Sequence, residues 1–184
     1  MYRVAVFIDN GYMRSLLKSY LNETRIDYRK FVEWISRGDD LFRAYVYDCL
    51  PYQSEKPTPE EREKMSRMQA FVRALECLDR FTVRQGRLEC RGTKDEPVFV
   101  QKRVDLQLGL DIATLALGHR VDIIAIVSGD SDLIPAINFV KDRGVLVRLV
   151  HGPKRTYHDE LWLLADERLE ITHEVINCVA LKQE

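Results

Sequence analysis

The chain has 184 residues, with 28 Lys and Arg against 29 Asp and Glu. This length suits one domain that buries roughly 70% of its unfolded surface, so we predict a single domain over residues 1–184. The net charge of −1 excludes recruitment of nucleic acid by bulk charge, so such a partner would need a local basic patch. The four cysteines contain no Cys-x-x-Cys pair and the four histidines have no zinc-site spacing, which excludes a zinc centre and favours reduced thiols.

The apolar pattern predicts neither a signal peptide nor a membrane span. The apolar start is short and runs directly into Asp9. No apolar stretch approaches the ~18 residues that a bilayer requires. We therefore expect a cytoplasmic protein that does not contact the membrane.

Strand and helix signals alternate along the chain. In order, they predict strand 3–8, helices 12–21 and 28–36, strand 41–47, a helix from 59 to 78, strands 81–90 and 97–100, helix 104–117, strand 121–127, helix 132–141, strand 145–150, helix 160–165, strand 169–172 and a terminal helix. The clearest helix start is Thr58-Pro59-Glu60-Glu61, a capping box with proline at the first helical position. Such alternation predicts an α/β protein, a Rossmann-like three-layer α/β/α sandwich with a mostly parallel central sheet.

Two apolar runs end on carboxylates. The run at 3–8 leads into Asp9, and the run at 123–127 leads through Ser128 and Gly129 into Asp130 and Asp132. In an open α/β sheet the carboxyl ends of the strands open onto one crevice. Acidic groups collected there repel one another unless a cation lies between them, so the pattern predicts a metal site.

Each of these aspartates also has a structural interpretation. Asp132 or Ser131 can cap the following helix, and Asp9 can form a turn with Asn10. Asp105 lies at a predicted helix start, where a carboxylate gains ~0.3–1 kcal/mol. Taken singly, each is better explained as structural, but four of them near strand ends and helix starts of one sheet favour a shared site.

Asp111 lies on one stripe of an apolar helix with Gln107 and Thr114. It is either hydrogen-bonded to a structural partner or a distant ligand of the same site. It stands about 120° around the helix from Asp105, so the two do not share a face, and we favour the structural role.

Three blocks of the sequence stand out together, namely Phe7-Ile8-Asp9-Asn10-Gly11, then Lys102-Arg103-Val104-Asp105 with Leu108 and Asp111, and finally Val127-Ser128-Gly129-Asp130-Ser131-Asp132-Leu133 with Pro135. Together these blocks resemble the NYN domain in its bacterial LabA-like branch, within the PIN-like nuclease superfold. They occur in the family's order along nearly the whole chain. Arg103 replaces the usual glycine of the second block, and Leu133 replaces an aromatic residue of the third.

The resemblance implies a PIN-like fold, an acidic site that depends on Mg²⁺ or Mn²⁺, and RNA as the substrate class. By motif, the family's four acids correspond to Asp9, Asp105, Asp130 and Asp132, which become the expected metal ligands and catalytic residues. Asn10 and Ser128 correspond to its supporting polar groups, and we assign them to the substrate-binding set.

The sequence therefore predicts a metal-dependent ribonuclease acting on RNA, with single strands the expected form. Lys102, close before Asp105, is the cation that we expect to contact substrate phosphate. Because two-fold dimers are the commonest soluble oligomers, a homodimer is a further expectation.

Two other functions stay open at this stage. One is a regulatory module that binds RNA or protein and keeps the acidic pocket with little or no catalysis. The other is a phosphatase of the haloacid-dehalogenase type, which needs a second aspartate two residues after the nucleophile. Gly11 occupies that position after Asp9, which argues against the phosphatase.

Overall fold

The computed structural model describes residues 1–92, 97–102 and 104–181, with the backbone alone at 87–92 and 97–102. Its strands are β1 Arg3–Asp9, β2 Asp40–Leu50, β3 Phe81–Gly92, β4 Pro97–Lys102, β5 Ile123–Val127, β6 Leu146–His151 and β7 Glu167–Glu170. Its α-helices are α1 Asn10–Tyr20, α2 Tyr28–Ser36, α3 Pro59–Glu76, α4 Val104–Leu117, α5 Ile134–Lys141, α6 Asp159–Leu164 and α7 His173–Val179.

The strands form one sheet in the order β4-β3-β2-β1-β5-β6-β7. Six strands run parallel, and the edge strand β4 pairs antiparallel with β3. The predicted mostly parallel sheet is confirmed. Strand order reverses at β1, which lies between β2 and β5, and this is the position where open α/β sheets bind ligands.

Helices cover both faces of the sheet, so each strand buries both sets of its side chains. Val4, Val6 and Ile8 of β1 pack beneath α1, α2, α3 and α7, while Ala5 and Phe7 pack beneath α4, α5 and α6. This alternation follows the two-residue period of a strand. It explains why β1 is an unbroken apolar run, and it confirms the three-layer α/β/α architecture.

Several element boundaries differ from the predicted ones for local reasons. The first helix starts at Asn10, two residues early, because Asp9 caps it by accepting the Tyr12 amide at 3.1 Å. Strand β2 continues past residue 47 to Leu50 because β3 pairs with it that far. The helix predicted at 132–141 is divided into a 3₁₀ turn, Ser131–Leu133, and α5.

Other local predictions are confirmed. The capping box of α3 is present, with Thr58 accepting from the Glu61 amide and the Glu61 carboxylate accepting from the Thr58 amide. Helix α4 has the predicted bounds. None of the helices in the described ranges is long and apolar enough to cross a membrane.

Asp166 joins three elements at the β7 side of the sheet. Its carboxylate accepts from the Val147 amide at 2.8 Å and from the Lys141 ammonium at 2.6 Å, and that ammonium also donates to the Leu164 carbonyl. Partial burial alone would raise the pKa of Asp166, but the Lys141 and Val147 contacts outweigh it and hold the pKa below the usual 3.8. The carboxylate therefore stabilises the contact of α5 with β6 and the segment before β7.

We predict that Asp166→Asn lowers the free energy of unfolding by about 1 kcal/mol at neutral pH. Because the folded-state pKa is depressed, this stabilisation is present above the unfolded-state pKa and is lost as pH falls through the folded-state value. Urea unfolding of both proteins at neutral pH and at about pH 3 measures the difference. An equal difference at both pH values, or one matched by Asp79→Asn at an exposed position, would contradict the assignment.

Candidate active site

The acidic residues predicted from the two apolar runs lie at the carboxyl edge of the sheet. Strands β1 and β5 pair in register, with Ile8 opposite Val127, so the residues that follow them emerge side by side. Asp9 ends β1, and Asp130 follows β5 by three residues. Parallel pairing therefore brings together two aspartates that are far apart in sequence.

Asp9 is held by the start of α1. Its Oδ1 atom accepts the Tyr12 amide, which fixes the side chain as the N-cap. Burial raises the pKa of Asp9 above the usual 3.8, the Tyr12 hydrogen bond opposes this, and the negative charges of Asp105 and Asp130 raise the pKa further. The pKa of Asp9 therefore depends on the charges of two other predicted site residues, Asp105 and Asp130.

Asp130 is held by the turn that follows β5. Its Oδ1 accepts the Asp132 amide at 2.9 Å, and its own amide donates to Ser128 Oγ at 3.2 Å. Asp130, rather than Ser131 or Asp132, is thus the residue that caps the turn. The capping role that we considered for Ser131 or Asp132 therefore belongs to Asp130, and the side chain of Asp132 is exposed.

Asp105 and Asp132 face the same small cavity, of about 320 Å³, between α4 and α5. The two helices are near each other at Gly109, where an added Cβ would make an ordinary contact, 3.7 Å from the Ala136 Cβ. Burial raises the pKa of Asp105, and the charges of Asp130 and Asp132 raise it further. All four predicted aspartates thus belong to one electrostatically coupled group.

The donor set of this group suits a hard divalent cation. Within residues 1–92, 97–102 and 104–181, no three His, Cys, Asp or Glu side chains are positioned to hold a metal ion together. Mg²⁺ requires less than that, because it commonly binds one or two carboxylates and keeps several waters. Four carboxylates whose charges oppose one another provide oxygen ligands and a negative potential, and both favour Mg²⁺ or Mn²⁺.

The loop after β6 packs against the turn that carries Asp130. Tyr12 Oη accepts the Gly152 amide at 3.0 Å and lies 3.2 Å from Thr156 Oγ1, and the His158 amide donates to the Gly129 carbonyl at 3.1 Å. A Cβ on Gly129 would lie 2.2 Å from the Thr156 carbonyl oxygen. Only glycine fits at this position. Close packing and hydrogen bonds therefore hold the Asp130 turn, α1 and this loop against one another.

Sequence analysis missed a buried carboxylate, Asp48. It is 1% exposed, accepts Arg14 through both oxygens at 2.6 and 2.8 Å, and accepts Asn10 Nδ2 at 2.6 Å. The Tyr28 hydroxyl donates to Asn10 Oδ1 and completes the network. A signal was present, because Asp48 directly follows the apolar run 41–47 just as Asp9 follows the run 3–8.

The remaining predicted residues have distinct environments. Asn10 and Ser128 are each 1% exposed, and their polar atoms bind Asp48, Tyr28 and the Asp130 amide. The Lys102 side chain lies outside the described residues, although its backbone ends β4.

Asp111 has structural partners. Its Oδ2 accepts from the Tyr47 hydroxyl at 2.7 Å and from Arg84 Nε at 3.1 Å. These contacts agree with the structural role that we favoured for this carboxylate.

We predict that Gly129→Ala destabilises the protein by about 1–3 kcal/mol, because the added methyl group overlaps the Thr156 carbonyl and the Tyr12 ring. The matched control is Gly109→Ala, where the same methyl group meets only an ordinary contact and the helix gains about 0.5–1 kcal/mol. Thermal unfolding of both variants checks this. Equal melting temperatures would contradict the close packing at Gly129.

Comparisons with known proteins agree with this fold. No curated protein matches the sequence. The crystal structure of VPA0982, a protein of unknown function from Vibrio parahaemolyticus, is similar in fold, with a TM-score of 0.62, 18% identity and 93% of each chain covered. MurG from Acinetobacter baumannii gives a TM-score of 0.44 at 13% identity, covering 94% of this chain and 43% of its own. The NYN domain model matches residues 3–170, so the chain belongs to the NYN domain family of the PIN-like nuclease superfamily.

Proposed function

We propose that this protein is a metal-dependent ribonuclease that hydrolyses RNA phosphodiester bonds at the four-aspartate site. The observation that carries the proposal is geometric, because the parallel pairing of β1 with β5 brings Asp9 and Asp130 to one edge at the switch point of the sheet. The charges of Asp105 and Asp130 also raise the pKa of Asp9, and Asp105 faces one cavity with Asp132. Repulsion within such a group opposes folding, and a bound cation relieves it. Membership of the NYN family supports nuclease chemistry at this position.

The aspartates would share the metal according to how they are held. Asp9 and Asp130 are fixed by backbone amides, so we assign them as the principal ligands, with Asp105 and Asp132 completing the set directly or through water. Bound Mg²⁺ or Mn²⁺ supplies an activated water and stabilises charge on the reacting phosphate. No side-chain nucleophile is needed, and Ser128 serves by orienting Asp130.

Substrate binding requires cations beside this acidic site. Lys102 remains our proposed phosphate contact, because it ends β4 two residues before the start of α4, which carries Asp105. Asn10 follows Asp9 directly and lines a neighbouring cavity. The three sequence blocks also support the LabA-like branch, which we propose on that ground.

We predict that Asp130→Asn lowers metal-dependent cleavage by on the order of 100-fold or more. Asparagine is as good an N-cap as aspartate and has the same shape, so the turn should persist while the negative charge is removed. The measurement is cleavage of a labelled single-stranded RNA in Mn²⁺, in Mg²⁺ and in EDTA. Asp142→Asn, at an exposed position after α5, is the matched control and should cleave like the native protein.

Three results would contradict the proposal. Cleavage in EDTA would exclude metal dependence, and full activity of Asp130→Asn would exclude this site. If the native protein binds Mn²⁺ and RNA but cuts no RNA, the protein is the regulatory module that keeps an acidic pocket.

A further inference from the structure

We propose that a groove between α1 and α3 binds the single-stranded RNA next to the acidic site, with bases against Phe71 and phosphates along a cationic rim. This inference rests on the proposed function, because it assigns the part of the protein that holds the substrate. The groove consists of two cavities, of about 470 and 580 Å³. Arg14, Tyr28 and Phe71 line both cavities, so the two are adjacent.

The groove starts beside Asn10, the residue that follows Asp9 in the sequence. One stripe of α1, Asn10, Arg14, Leu17 and Lys18, forms its wall, and these residues recur at the spacing of one helix face. Eight residues of helix span about 12 Å, so the groove follows most of α1 from Asn10 to Lys18.

The groove is positively charged, whereas the carboxyl edge of the sheet, where the four aspartates lie, is negatively charged. The lining of the groove contains five cations and one anion, namely Arg14, Lys18, Arg25, Lys64, Arg67 and Glu23. Two further carboxylates pair with these cations, Asp48 with Arg14 and Glu63 with Arg67, so the excess is two positive charges. This excess is local, since the whole chain carries a net charge of −1. It is the local basic patch that a nucleic-acid partner requires of a chain with balanced charge.

Arg14 is held in place by the network that sequence analysis missed. Both of its terminal nitrogens bind the buried Asp48 carboxylate, yet 51% of its side chain remains exposed. A guanidinium fixed in this way loses little further freedom when it contacts a phosphate. Lys64 and Arg67, on α3, complete the rim across the groove.

The floor of the groove is apolar and aromatic. Met68, Phe71 and Tyr28 line it, with the Phe71 ring edge-to-face against Tyr28 at 5.5 Å. The Tyr28 hydroxyl is bound by Asn10, so this ring is fixed and supports Phe71. Aromatic rings beside a cationic rim suit the bases and phosphates of a single strand, whereas a duplex would hide its bases.

RNA binding in EDTA separates this groove from catalysis. We would measure the affinity of a short labelled single-stranded RNA by fluorescence anisotropy over a range of salt concentrations. The rim variant is Lys64→Gln with Arg67→Gln. Its matched control is Lys30→Gln with Arg73→Gln, which removes the same charge from exposed positions on α2 and on another side of α3.

We expect the rim variant to bind more weakly and to lower the slope of log affinity against log salt by roughly 1.4, or ~0.7 for each lost phosphate contact. Phe71→Leu keeps an apolar side chain but loses the ring, so we expect about tenfold weaker binding with the salt slope unchanged. The control should bind like the native protein.

The groove assignment is overturned if the rim variant and Phe71→Leu bind like the native protein. It is also overturned if the control variant loses as much affinity for RNA as the rim variant. A third contrary result is that polyglutamate, a polyanion without bases, competes as well as unlabelled RNA while Phe71→Leu has no effect. If the native protein cleaves RNA but both groove variants bind RNA like the native protein, the groove assignment is wrong and the proposed nuclease function stands. If the native protein cuts no RNA but the groove variants bind RNA more weakly than it does, the nuclease proposal is wrong and the groove assignment stands.

Discussion

Parallel pairing of β1 with β5 is the constraint on which the site depends. Because Ile8 lies opposite Val127, the chain leaves both strands at one edge and Asp9 and Asp130 emerge together. The sheet reverses its order at this point, so α1 and α4 cover opposite faces and a crevice opens between them. Asp105 lies in the first turn of α4 and faces the cavity between α4 and α5. A shift in this register would separate the aspartates.

The residues of the site also maintain the fold. Asp9 and Asp130 cap the segments that follow them, so hydrogen bonds to backbone amides offset part of the cost of placing carboxylates close together. Burial and mutual repulsion still raise the pKa of Asp9 and of Asp105. The buried Asp48, in contrast, is paired with Arg14 and Asn10. Helix α1 is thus capped by Asp9 and also carries the arginine that Asp48 holds.

Local patterns predicted most of the architecture, because apolar runs, the Thr58 capping box and the spacing of α4 are properties of short segments. They also predicted that Asp9 and Asp130 lie at one edge, since strand ends can be read from the sequence and parallel strands share an edge. The patterns did not predict that Asp48 meets Arg14, because that contact depends on how α1 packs over β2. The division of the helix after Asp130 was also missed, because the cap is Asp130, one or two residues before the expected caps Ser131 or Asp132, and a 3₁₀ turn follows it. The groove could not be predicted from the sequence, because its walls come from α1 and α3, which are separated by more than thirty residues.

The most direct test of the account is thermal unfolding of the native protein and of Asp105→Asn, each in EDTA and in Mn²⁺. Since neighbouring charges and burial raise the pKa of Asp105, the ionised carboxylate destabilises the fold at neutral pH, and its neutral replacement should unfold at a higher temperature in EDTA. Mn²⁺ should raise the melting temperature of the native protein by more than that of the variant, because the cation relieves the repulsion that the substitution has already reduced. If Mn²⁺ shifts neither protein, or if Asp105→Asn is the less stable protein in EDTA, the four aspartates are not the coupled cation site described here.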